Sequence, residues 1–167
     1  ANEVGGHPET LSIPTTAFHS YAAGRLERWP VTMTALTTHD TKRSEDVRAR
    51  LMVLASDAAG WEQWVRAASS LGAVHRSALV DAPTEYLVWQ TLVGTWPITA
   101  ARLEEYVLKA VREAKLHTAW VDGDDAYEQA VVDFATGVLR DDAVRAHLDE
   151  WVVAQADSMR ANVLGQK

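Results

Sequence analysis

The sequence predicts a mainly all-α fold with at most one or two short strands near the N-terminus, and three observations carry that expectation. Apolar residues recur at helical spacing through most of the chain after residue 44. Capping and stopping residues separate those runs, with Ser44, Thr99 and the acidic residues of 121–125 ahead of them and Gly72 and Pro97 behind. Alternation of apolar and hydroxyl residues with a β-branched bias is confined to residues 31–38, which read as a short strand.

Residues 1–16 hold two Gly and two Pro and read as loop. Phe18, Tyr21, Ala22, Leu26 and Trp29 then mark a short helix that ends at Pro30. After the strand, a helix runs from about Ser44 to Ala55, with Glu45 and Asp46 favourably placed against its dipole. A second starts near Asp57, puts Trp61, Trp64, Val65 and Ala68 on one side, and ends at Gly72. Residues 72–82 are expected to turn. From Pro83 to Trp96 the pattern is apolar on most sides, as in a central buried helix. Thr99 caps a longer helix with Leu103, Val107, Ala110 and Ala114 inward and Glu105 four residues before Lys109 outward. Residues 121–125 signal a turn, and Tyr127, Val131, Phe134 and Val138 an amphipathic helix beyond it. Val144, Leu148, Trp151, Val152, Met159 and Val163 continue one helical period towards the C-terminus. Six or seven helices result.

Composition narrows the function. A chain of 167 residues with 47% apolar residues can bury one proper core. The absence of cysteine removes disulfides and thiolate metal sites. A net charge of −7 argues against a nucleic-acid or anionic-membrane binder, which needs a basic face. No apolar run approaches the roughly 20 residues that span a bilayer, and no signal-peptide plan opens the chain, so a cytoplasmic protein is expected. The opening residues lack an initiator Met and suggest the middle of a longer chain. Seven Trp suit either a helix-packing core or a sugar-binding cleft, and composition does not separate the two.

Two stretches carry chemistry. His39-Asp40 falls between the expected strand end and a helix start, where helical N–H groups are unpaired. An Asp in that place is most often a cap. Two functional readings compete with the cap. One is a metal site shared with His19 and Asp122 or Asp124, as in all-helical His-Asp phosphohydrolases. The other is a glycosidase-type carboxylate that stabilises positive charge at an anomeric carbon. Lys42 and Arg43 directly after the pair suit a polyhydroxyl ligand or a carboxylate better than a metal, although pairing with Glu45 and Asp46 accounts for them equally well. In residues 109–120, Arg112, Lys115 and His117 lead to Trp120 beside an acidic turn; a solvated charged face and a core Trp is the simpler account. No Ser-His-Asp order, Gly-rich phosphate loop or zinc spacing is present.

The run Thr38-His39-Asp40-Thr41-Lys42-Arg43-Ser44-Glu45-Asp46-Val47-Arg48-Ala49-Arg50 resembles the corresponding segment of malto-oligosyltrehalose synthases, members of the α-amylase superfamily. Asn2-Glu3-Val4-Gly5-Gly6, Phe18-His19, Glu85-Tyr86-Leu87, Gln90-Thr91-Leu92, Trp96-Pro97, residues 109–120 and Tyr127-Glu128 are similar to that family in the same order. The resemblance implies intramolecular transglycosylation, in which the reducing-end α-1,4 bond of a malto-oligosaccharide becomes an α,α-1,1 bond. It implies residues 1–43 as a segment derived from a (β/α)8 barrel and residues 44–167 as a helical insertion domain. Asp40 then matches the transition-state stabiliser and His39 its sugar-binding neighbour, with Lys42, Arg43, Arg112, Lys115, His117 and Trp120 as candidates to line the substrate site. No cofactor or metal is implied. The implied partners are the malto-oligosaccharide, the rest of the parent barrel and, functionally, malto-oligosyltrehalose trehalohydrolase, with no nucleic acid and no membrane. No segment matches the family's nucleophile or acid/base motif, so the chain reads as an inactive fragment. The alternatives are the metal-dependent phosphohydrolase and a non-enzymatic helical interaction module.

Overall fold

Five side chains that the sequence sets just ahead of apolar runs start five helices. The computed structural model describes residue 10 and residues 12–33, 35–38 and 41–166. Its chain divides into two units, Ala1–Ser44 and Glu45–Lys167.

Within the first unit, α1 (Thr15–Arg28) forms where Phe18, Tyr21 and Leu26 recur, but none of its residues is buried. The strand expected at 31–38 is absent among the described residues, which contain no strand at all. The reason is pairing: a strand is held by a ladder to a neighbour, and local bonds serve this segment instead. Thr32 N–H donates to Trp29 O at 3.1 Å, and Thr41 N–H to Thr38 O at 3.1 Å.

The second unit holds α2 (Glu45–Ser56), α3 (Ala58–Leu71), a single 3-10 turn (Gly72–His75), α4 (Ala82–Thr95), α5 (Ala100–Ala114), α6 (Asp125–Arg140), α7 (Asp142–Ala154) and α8 (Ala156–Gly165). Asp57 accepts from Gly60 N at 3.0 Å, Asp81 from Thr84 N at 2.7 Å and Thr99 from Arg102 N at 3.3 Å. Asp124 accepts from Tyr127 N at 2.9 Å, and Asp141 from both Ala143 N and Val144 N. Each bond satisfies a donor that a helix start leaves orphaned.

Eight helices are described rather than six or seven, because the long C-terminal period breaks at Gln155, where φ is −97° and ψ is 2°. Neither Gly nor Pro marks the break, so periodicity alone passes over it. The bend brings α8 against α2, where Asn162 Nδ2 donates to Ala49 O at 3.2 Å and Gln166 Nε2 to Asp46 Oδ1 at 3.0 Å. On α5, Val111 is buried while Ala114 is exposed. Glu105 pairs with Arg102 at 3.0 Å, three residues before it on the same exposed face, rather than with Lys109.

α4 is the central element, with Val88, Trp89 and Leu92 fully buried. The Trp89 ring meets Trp64 and Phe134 edge-on, at 6.2 and 5.7 Å between centroids, an arrangement that adds about 1 kcal/mol per pair to area burial. Trp61, Trp64 and Trp89 are therefore core residues, whereas Trp29 and Trp120 are mostly exposed.

Candidate functional site around the loop between α5 and α6

Lys115 ends α5 in the left-handed region, with φ 55° and ψ 32°, and its N–H reaches back to Val111 O. That turn sends the chain through residues 116–124 to the start of α6. Asp124, the α6 cap, donates its own N–H to Thr118 Oγ1 at 3.0 Å, and the Thr118 hydroxyl donates to Glu128 Oε1 at 2.6 Å. Glu128, in the first turn of α6, is buried and receives Arg112 from α5: Nε reaches Oε1 at 2.9 Å and Nη2 reaches Oε2 at 2.5 Å. A fork of charge-assisted bonds thus ties α5 to α6, and Thr118 ties the loop to the same carboxylate.

The electrostatics follow from this geometry. The Arg112 guanidinium, helped by the Thr118 hydroxyl, holds the Glu128 carboxyl down at about 2. Glu128 in turn raises Arg112. The other side of the guanidinium covers the Trp120 ring, 5.0 Å from its centroid. Trp120 remains 59% exposed, so a large aromatic surface is held in place yet open to solvent.

His117 follows the same loop to a different partner. Its Nε2 lies 2.6 Å from Asp81 Oδ2, and its ring rests 4.7 Å from that of Tyr127. The Tyr127 hydroxyl bonds Thr84 Oγ1 at 2.9 Å, and burial raises its pKa. Partial burial pushes Asp81 up, but bonds from Thr84 and His117 outweigh it and keep the carboxyl below its ordinary value. Three candidates, Lys115, His117 and Trp120, therefore fall on one loop, with Arg112 reaching it from α5; Lys115 and His117 are exposed.

The remaining candidates belong to the other unit. Lys42 and Arg43 are half-buried there, directly after Thr41, whose Oγ1 accepts from Thr38 N–H at 3.0 Å. His39 and Asp40 lie outside the described residues. Among the described residues no group of three His, Cys, Asp or Glu is placed to hold a metal. Of the side chains weighed as metal partners, Asp124 caps α6, and the His19 ring meets Phe18 edge-on at 5.6 Å.

Sequence reasoning gave no role to Glu128, Thr118 and Asp81, which organise the loop, although the first two fall in segments that resemble the family. A signal for Glu128 existed: it is a carboxylate beside Tyr127 on the face that Val131 and Phe134 bury, and such a group needs a cation. Its partner, 16 residues upstream, gave no local sign.

No protein-family model matches the chain. A curated protein from Mycobacterium tuberculosis (strain CDC 1551 / Oshkosh), described as a putative maltooligosyl trehalose synthase, is 36% identical over 175 residues, spanning 98% of this chain and 22% of that protein. The solved maltooligosyltrehalose synthase from Arthrobacter ramosus is 40% identical, with a TM-score of 0.81 over 96% of this chain and 21% of its own. A Sulfolobus tokodaii structure described as a hypothetical maltooligosyl trehalose synthase is 27% identical, with a TM-score of 0.80 over 95% of this chain and 22% of its own. The chain thus matches a helical segment of maltooligosyltrehalose synthases and spans about a fifth of their length.

Proposed function

We propose that this chain works as part of a malto-oligosyltrehalose synthase, an isomerase that turns the reducing-end α-1,4 bond of a malto-oligosaccharide into an α,α-1,1 bond. The match to the Arthrobacter ramosus enzyme at 40% identity across nearly the whole chain carries this reading. On it, residues 1–43 derive from the parent's barrel and residues 44–167 form its helical domain. The parent acts in the cytoplasm, in trehalose formation ahead of a trehalohydrolase.

In this mechanism Asp40 stabilises the positive charge that develops at the anomeric carbon, and His39 holds a hydroxyl of the same sugar ring. The freed glucose turns over and attacks through its anomeric hydroxyl before water can, so the reducing-end subsites must be closed. Lys42 and Arg43 contribute donors there. On the second unit, taken by itself, the open face of Trp120 offers a platform for a pyranose ring, and the exposed Lys115 and His117 of the same loop offer polar contacts. Arg112 acts as a positioning residue, since its guanidinium lies between Glu128 and the Trp120 ring. Glu128 is spent on that guanidinium and is not a candidate nucleophile or acid.

Product analysis tests the proposal. The isolated chain incubated with maltohexaose should form no trehalose-terminated product. The parent enzyme carrying Asp40→Asn should lose at least about 100-fold in kcat, the scale of removing one stabiliser of transition-state charge. Product from the chain alone, or a parent variant with full activity, overturns the reading.

A further inference from the structure

Between α3 and α4 opens a groove of about 750 Å³ that none of the roles above uses. Its size falls within the roughly 300–1,000 Å³ of small-molecule sites. One part of its lining is aromatic. Tyr86 keeps 40% of its surface exposed, while its hydroxyl accepts from Trp61 Nε1 at 2.8 Å. The ring is therefore fixed before a ligand arrives, which lowers the entropy cost of stacking on it.

The polar part of the lining consists of charges that are already neutralised. Arg66 donates through Nε and Nη2 to Glu62 Oε1, at 3.1 and 2.6 Å. Arg76 pairs with Glu85 and also donates to Ser69 Oγ at 3.0 Å. Two cations and two carboxylates leave no net charge to attract an ion. They do leave an array of donors and acceptors beside an aromatic face, which is what a ring with hydroxyls at its edge and C–H groups on its face requires.

We propose that this groove binds a neutral polyhydroxylated ligand, a short stretch of α-1,4-glucan stacked on Tyr86 and bonded by the Arg66–Glu62 and Arg76–Glu85 pairs. The choice of glucan among neutral polyols rests on the function proposed above; the choice of a neutral ligand rests on the groove itself.

Titration of the 167-residue chain with maltopentaose, followed through the indole N–H resonance of Trp61, tests this. A saturable shift with a Kd in the millimolar range is expected, weakened at least about threefold by Arg66→Ala and by Tyr86→Ala, each removing one contact of modest strength. The Arg66 side chain is 76% exposed, so its truncation leaves the fold intact even if Tyr86→Ala does not. No saturable shift at Trp61, variants that bind like the parent chain, or equal affinity for an anionic saccharide overturns the site. None of these outcomes touches the Asp40 reading, which product formation in the parent enzyme decides.

Discussion

The Glu128 carboxylate accepts both arms of the Arg112 guanidinium, at 2.9 and 2.5 Å, and that same guanidinium carries the Trp120 ring 5.0 Å away. A buried acid, a half-buried cation and an exposed aromatic thus form one chain of contacts, and its inner end is the more consequential. Glu128→Gln keeps the shape but removes the charge, so Arg112 loses its counter-ion. A loss of about 2 kcal/mol in unfolding free energy is expected, with a change in Trp120 fluorescence, both measured by urea titration. Arg112→Lys should also destabilise, because an ammonium does not reproduce the two-pronged fit. Stability unchanged in Glu128→Gln would show that the fork contributes nothing net.

Acid sensitivity follows from the same pair. Glu128 sits at about 2 in the folded chain, against an ordinary value of 4.5. Between those values the unfolded chain binds more protons, so stability rises with pH across the interval. The contribution is fully present above about 4.5 and is lost as pH falls through about 2. Asp81 and Asp141 are lowered as well and act in the same direction, below their ordinary 3.8. Thermal midpoints recorded from pH 6 down to pH 2 should fall most steeply below 4.5, and Glu128→Gln should flatten part of that slope. An unaltered slope in the variant would count against the assignment.

Asp141 does two tasks at once. Its Oδ1 caps α7, and its Oδ2 lies 3.0 Å from His75 Nε2 in the 3-10 turn. The bond from His75 is the main reason its carboxyl is held low. Asp141→Ala should cost about 1–2 kcal/mol, the usual price of a lost cap. Asp141→Asn retains a cap acceptor and should cost less. Equal losses in the two variants would assign the effect to the His75 bond rather than the cap.

The fold was legible wherever the signal is local. Asp57, Thr99 and the acidic turn at 121–125, from which Asp124 serves as the cap, announce helix starts, and Trp61, Trp64, Val131 and Phe134 fall on buried faces as their spacing requires. What periodicity could not supply was a partner or a break. The alternation at 31–38 has the composition of a strand, but pairing belongs to the neighbour and not to the segment. Gln155 interrupts a helical period without a breaking residue. At the candidate site, Arg112, Lys115, His117 and Trp120 were visible as a run. The residues that hold them were not, because Glu128 and Asp81 come from outside the stretch, 16 and 36 residues from their partners.

Gly137 shows packing overruling helix propensity. It lies inside α6, where Ala would ordinarily be better by about 1 kcal/mol. A Cβ there, however, would stand 2.9 Å from His75 Nδ1 and 3.1 Å from His75 Cβ, too close to the root of that side chain for a small rotation to relieve. Displacing His75 also disturbs its bond to Asp141. Gly137→Ala should therefore destabilise the second unit by about 1–2 kcal/mol, the cost of overpacking. Gly24, inside α1, is the control: a Cβ there meets only Arg28 Nη2, at 3.5 Å. Gly24→Ala should raise the helicity of α1 with no loss of overall stability, as circular dichroism and urea titration would record. A Gly137→Ala variant as stable as the parent chain would mean that the 3-10 turn yields more readily than its contacts with α6 suggest.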